Sequence, residues 1–192
     1  QPPEWPFGID AGLAAVGQGV FERNCAACHG SYGDDWSYPN LVISLEQVGT
    51  DPAYALQAVA AERFLRWFAL SFYGRTAQPR PAPGYVAPPL DAVWATAPYL
   101  HNESVPSLAA LLDSSQRPTY WRHELEPREY DTDALGWRHE VLEHGKEGAA
   151  DPSEARYIYD TTRHGHGNGG HTFGDALDEA ERRALLEYLK SL

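Results

Sequence analysis

The chain has two cysteines, and they stand together as Cys25-Ala26-Ala27-Cys28 with His29 directly behind. Thiols at positions i and i+3 can add to the two vinyl groups of one porphyrin while the next side chain reaches the iron from the same side. That is the physical content of a C-x-x-C-H haem attachment signature. The residues predict one haem c, covalently bound through Cys25 and Cys28, with His29 on the iron. Two other chemistries use the same atoms. A Cys25–Cys28 disulfide leaves His29 without a role, and a zinc site needs two histidines at finger-like spacing, which the distant histidines do not offer.

An iron held by His29 has a sixth position to fill or leave open. Methionine is excluded, because the chain has none. The candidates are His101, His123, His139, His144, His164, His166 and His171. The run Arg163-His164-Gly165-His166 reads as an exposed loop. Propionate carboxylates buried with a haem need charged or N–H donors, for which Trp94, Tyr99 and Arg80 are the candidates.

The elements that must position these groups follow from periodicity and turn chemistry. Residues 1–9, with three prolines, read as an irregular arm pinned by Trp5 and Phe7. Asp10 is a natural N-cap for a helix over Ala11–Asn24, with Leu13, Val16, Val20 and Phe21 at helical spacing. Gly17 and Gly19 within it suggest close packing against another helix. Leu41 to Leu45 is expected to form a loop wall against the porphyrin. A second helix is expected from Asp51-Pro52 to about Tyr73, its aromatic stripe in the core and Gly74 as its stop. The proline-rich stretch 78–89 reads as extended loop. Residues 113–170 form a polar excursion with acids between Glu124 and Asp133, briefly helical only over Glu140 to His144. Asp175 is expected to cap a last helix whose stripe is Leu177, Ala184, Leu185, Tyr188 and Leu189, packed across the first.

Further motifs carry a family likeness. The run Trp94-Ala95-Thr96-Ala97-Pro98-Tyr99-Leu100-His101-Asn102-Glu103-Ser104-Val105-Pro106-Ser107-Leu108 resembles W-A-T-A-P-Y-L-H-N-G-S-V-P-T-L of bacterial di-haem cytochromes c of the cytochrome c peroxidase superfamily, those related to rubber oxygenase. Arg117-Pro118, Glu129-Tyr130-Asp131, Tyr159-Asp160-Thr161 and the run from Gly167 to Gly174 resemble the same family. So does the end of the chain, Leu185-Leu186-Glu187-Tyr188-Leu189-Lys190-Ser191-Leu192.

The likeness covers Cys25 to Leu192 and is to the C-terminal haem domain of those proteins. It implies a mainly α, cytochrome c-like helical haem domain with long irregular loops and a large excursion before the C-terminal helix. It further implies His171, in the distal-ligand segment, as sixth ligand, with Gly169-Gly170 letting the backbone approach the porphyrin, and His101 beside the haem in a supporting role. Two departures matter. One C-x-x-C-H leaves the second haem and the oxygen-activating half without a counterpart, so rubber cleavage is not carried over. Glu103 stands where the family has glycine.

At 192 residues the chain suits a single domain, residues 1–192. Its net charge of −12 repels nucleic acid and anionic membrane surfaces and favours a redox protein partner with a basic docking patch. No apolar run reaches the length of about 18 residues needed for a membrane span. Covalent haem c is assembled after export, so a periplasmic or secreted mature form is expected. Two function classes survive. One is a single-electron carrier with bis-histidine iron, the other a peroxidase- or oxygenase-like haem enzyme with an open or displaceable distal site.

Overall fold

Asp10 starts the first helix by accepting the Leu13 amide at 3.0 Å, and α1 runs Ala11–Asn24 as the apolar spacing predicts. Cys25 leaves helical geometry, and one further turn, α2 (Ala26–His29), follows. This computed structural model describes residues 2–123 and 130–192. The chain continues through β1 (Val42–Ser44), α3 (Leu45–Val48), α4 (Ala53–Ala60), α5 (Glu62–Leu70), β2 (Gly84–Val86) and α6 (Leu108–Leu112). It then forms β3 (Tyr120–His123), β4 (Tyr130–Asp131), β5 (Gly136–Trp137), β6 (His139–Val141), α7 (Pro152–Ala155), β7 (Ile158–Asp160) and α8 (Glu179–Leu189).

The expectation of a mainly α fold is overturned. Helix accounts for 38% and strand for 14%, in eight helices and three small sheets among the described residues, which is a mixed α/β architecture. All the pairings are antiparallel: β1 with β2, β4 with β5, and β3 between β6 and β7. The polar excursion therefore carries most of the strands. They are two to four residues long, too short for the period-2 alternation that betrays a strand in sequence. Cross-strand stacking supports the pairing of β3 with β7. Trp121 lies parallel to Tyr159 at 5.3 Å, and its indole N–H donates to the Ser104 carbonyl at 3.2 Å.

Other local expectations also change. The segment expected as a brief helix after Glu140 begins as strand β6. Leu41 to Leu45 contains strand β1, and the proline-rich stretch contains its partner β2, with Ile43 opposite Tyr85. The long second helix is broken at Ala61 (φ −81°, ψ 45°) into α4 and α5. Its aromatic stripe faces outward, with Trp67 59% and Leu70 84% exposed. Gly74 lies in a 3-10 turn over Tyr73–Arg75, beyond the helix end at Leu70. Asp178 caps α8, in a reciprocal capping box with Glu181, while Asp175 accepts from the Ser114 amide and hydroxyl. Of the acids expected in the excursion, Glu124, Glu126 and Glu129 lie outside the described residues, as does Arg128.

The core is the α1–α8 crossing, closed by α6. Leu177, Ala184, Leu185, Tyr188 and Leu189 are all buried, with Val20, Phe21, Leu108 and Leu112. The helices touch through Gly17, where an added Cβ would stand 1.9 Å from the Ala184 carbonyl oxygen. Gly19 makes no such approach. Trp5 of the N-terminal arm packs edge-on against Trp94 at 5.2 Å and Tyr130 at 6.0 Å, whereas Phe7 is exposed.

Glu103 occupies the turn where the likeness has glycine, and it does so at φ 60°. The left-handed conformation of that turn is kept although its side chain carries a Cβ penalty. Glu103 is exposed, so Glu103→Gly should stabilise the protein by about 1 kcal/mol, read as a rise in the midpoint of urea unfolding.

Candidate functional site

One helical turn sets Cys25, Cys28 and His29 at i, i+3 and i+4 on one face, and all three line a cavity of about 520 Å³. That volume is in the range of small-molecule and cofactor sites. Its walls are mainly apolar, including Phe21, Ile43, Leu108, Leu112, Leu185 and Leu189. Both cysteines are half-buried, and they are not joined in a disulfide. Burial, and then the neighbouring Cys28, push the Cys25 thiol up to about 11.

His29 is oriented by the proline-rich stretch. Its Nδ1 lies 2.8 Å from the Pro88 carbonyl oxygen. A carbonyl only accepts, so Nδ1 carries the proton and Nε2 keeps its lone pair. Burial lowers the pKa of His29, and the bond to Pro88 offsets part of the effect. His171 lies on the same cavity, its ring centroid 6.3 Å from that of His29. Burial, and then His29, push its pKa down to about 4. Both rings are therefore mainly neutral at pH 7, the form that ligates metal.

The spacing can be tested against a shared ion. A metal–imidazole bond is about 2.0–2.1 Å and a ring centre lies roughly 1.1 Å behind its nitrogen, so trans imidazoles on one ion set their centroids about 6.2–6.4 Å apart. The observed separation of 6.3 Å meets that distance requirement. The wall also carries buried polar atoms without a protein partner: Thr50 Oγ1, His101 Nε2 and His171 Nδ1. Such atoms are uncommon in a folded interior, and these three share the cavity of Cys25, Cys28 and His29, where a ligand with polar groups of its own would fit. Among the described residues no group of three or more His, Cys, Asp or Glu is placed to hold a bare metal ion.

The segment between β7 and α8 carries His171 without regular secondary structure, so side chains from elsewhere satisfy its backbone. The Asp51 carboxylate accepts from the Gly167 amide at 3.1 Å. Asn102 Nδ2 donates to the Gly165 and Gly167 carbonyls at 3.1 and 2.9 Å. The Asn168 side chain donates to the Pro118 carbonyl, and the His171 amide to the Val48 carbonyl at 2.6 Å. Arg117 donates to the carbonyls of Asn168, Gly170 and His171. Gly169 has open space around its Cα. Gly170, at φ 75°, would place a Cβ 2.2 Å from the Gly49–Thr50 backbone. Gly170 thus packs against a segment whose Val48 and Thr50 line the cavity.

The remaining candidates divide. His101 lines the cavity, stacked on Tyr85 with centroids 3.8 Å apart. The Tyr85 hydroxyl donates to the Asp51 carbonyl at 2.6 Å, fixing the ring beneath it. Tyr99 contributes its ring to the wall, but its hydroxyl is 3.0 Å from the Val93 carbonyl and engaged in the body of the fold. Trp94 packs against Trp5 and Arg80 is exposed, and neither is among the lining residues. His123 stacks on Trp137, His139 lies near Trp121, His144 and His164 are exposed, and His166 meets Tyr159 at the rim of a second cavity.

Sequence reasoning missed Asp51, Asn102 and the fastening role of Arg117. Asp51 reads locally as a helix start, and Asn102 and Arg117 had no signal beyond their presence in the family-like runs.

The C-x-x-C-H motif, the two imidazoles and the apolar cavity together have the character of a cytochrome c-like domain. Comparison agrees: residues 84–122 match the family model described as RoxA-like, cytochrome c-like, which supports a cytochrome c-like domain related to RoxA. Such a domain implies haem c. The matched stretch supplies β2, the Pro88 carbonyl, His101, α6 and Arg117. The chain is also 32% identical over 265 aligned positions to the uncharacterized protein y4iJ of Sinorhizobium fredii (strain NBRC 101917 / NGR234), covering all of this chain and 41% of that protein. It is 32% identical over 231 positions to the uncharacterized protein y4iM of the same strain, covering 99% of this chain and 51% of that protein. The chain thus spans about half the length, or less, of these curated relatives.

Proposed function

We propose that this chain is a single-electron carrier of the periplasm or cell exterior. It forms one domain with one haem c, attached through Cys25 and Cys28 and ligated by His29 and His171. The observation that carries this reading is the His29–His171 centroid distance of 6.3 Å across one apolar cavity. Bound there, haem supplies a one-electron Fe(III)/Fe(II) couple.

The protein's own part is positioning and insulation. Pro88 holds His29 in the tautomer that presents Nε2. The apolar walls exclude water, and the fastened loop keeps His171 in reach. Two neutral imidazoles lack the potential-raising effect of a methionine ligand, so a reduction potential below that of His/Met cytochromes is expected. The net charge of −12 favours a redox partner with a basic patch. No helix among the described residues is long and apolar enough to cross a membrane.

Absorption spectra of the purified holoprotein test the reading. Low-spin bands in both oxidation states, slow cyanide binding and a pyridine haemochrome typical of two thioether bonds are expected. High-spin ferric bands and ready cyanide or carbon monoxide binding would instead favour a haem enzyme with an open distal site.

A further inference from the structure

Arg117 has a hydrogen-bonding pattern that the electron-carrier reading leaves unused. A guanidinium has five N–H groups in a rigid fork, and here each one meets a different main-chain carbonyl. Nε donates to Ala110 at 3.1 Å. One terminal nitrogen donates to Asn168 at 2.8 Å and Gly170 at 2.6 Å. The other donates to Leu111 at 3.0 Å and His171 at 3.1 Å. Ala110 and Leu111 belong to the last turn of α6, whose carbonyls have no helical partner. The remaining three acceptors belong to the irregular loop that carries His171.

We propose that Arg117 is the positioning residue for the sixth iron ligand: it fastens the His171 loop to the end of α6 and so keeps the distal position closed. The inference rests on the reading of His171 as ligand. A helix end is rigid and the loop has no ladder of its own, so the three bonds to Asn168, Gly170 and His171 transfer the order of α6 to the imidazole. Lysine carries three donors on a flexible stem and cannot span both groups of carbonyls in one plane. Asp175 and Asp113 lie close enough to balance the guanidinium charge, so loss of Arg117 removes bonds and leaves acids behind.

The test compares holoprotein variants by ferric spin state and cyanide affinity, with far-UV circular dichroism as the check on folding. Arg117→Met should keep its covalent haem yet show a high-spin fraction at room temperature. Its cyanide affinity should rise about tenfold or more, the equivalent of one charge-assisted hydrogen bond. Arg117→Lys should fall between it and the wild type, and it decides the question by the same spectra if Arg117→Met does not accumulate.

Arg182→Met is the control for general loosening, since Arg182 bonds the Gly174 and Leu177 carbonyls and none of the carbonyls held by Arg117. Equal opening in that control, or a wild-type spectrum and cyanide affinity in the Arg117 variants, would overturn the proposal. His171→Ala separates the two readings. If it becomes high-spin while the Arg117 variants stay low-spin, only the positioning role fails. If it stays low-spin, the ligand assignment fails and the positioning role with it.

Discussion

His171→Ala is expected to convert the ferric protein from low-spin to high-spin while its covalent haem remains. The ring of His171 is 6.3 Å from that of His29 and shares the cavity with the attachment cysteines. On the proposed ligation, its removal would leave the iron with one protein ligand and a space open to small molecules. Cyanide and carbon monoxide should then bind readily, and added imidazole should restore the low-spin bands. The last arm distinguishes a lost ligand from a damaged fold, because free imidazole replaces only the ring. A variant that stays low-spin without imidazole would transfer the role to His101, the other histidine on that wall among the described residues.

Gly17→Ala should be destabilising, by up to about 2 kcal/mol, even though alanine is the better helix former. A Cβ at Gly17 would meet the Ala184 carbonyl oxygen at 1.9 Å and Tyr188 Cβ at 2.9 Å. The α1–α8 crossing must open to admit it. Overpacking a closed interface costs about 1–3 kcal/mol, at or beyond the roughly 1 kcal/mol that alanine gains over glycine in a helix. Both helices line the cavity proposed for haem through Phe21, Leu185 and Leu189, so the shift should also disturb the spectrum. Gly19→Ala, two residues away and half-buried, meets only the flexible Arg23 guanidinium at 3.4 Å and should be neutral or stabilising. Thermal melts of the pair check the prediction, and equal melting temperatures would show that the crossing is looser than described.

The placement of the candidate residues was legible in the sequence where it is local. Cys25, Cys28 and His29 lie within one helical turn, and their common face follows from spacing alone. Helix α1 was legible to the residue, because its cap and its apolar period agree, and so was the buried stripe of α8. The strands were not, because β3 meets β7 through stacking of Trp121 on Tyr159 and β6 through the edge contact of Trp121 with His139, contacts with no local signature. The outward face of α5 was misread for a related reason. Its aromatic stripe has the period of a core helix, and periodicity reports which residues share a face without saying what that face meets. Arg117 shows the deepest limit. Its five acceptors are main-chain carbonyls, which every residue has, so no choice of side chain marks them.

The contact between Gly170 and the Gly49–Thr50 backbone has a consequence for how this domain can drift over time. Two stretches of main chain, remote in sequence, meet with no room for a side chain on Gly170. A mutation there cannot be absorbed by a rotamer change in a neighbour, because the neighbour is backbone. Natural selection would therefore hold this position through the shape of the opposite segment, independently of any chemistry the glycine performs. Divergent copies of the domain could exchange most of the loop around His171 while keeping this one unsubstituted residue as an inherited mark of how the two segments meet.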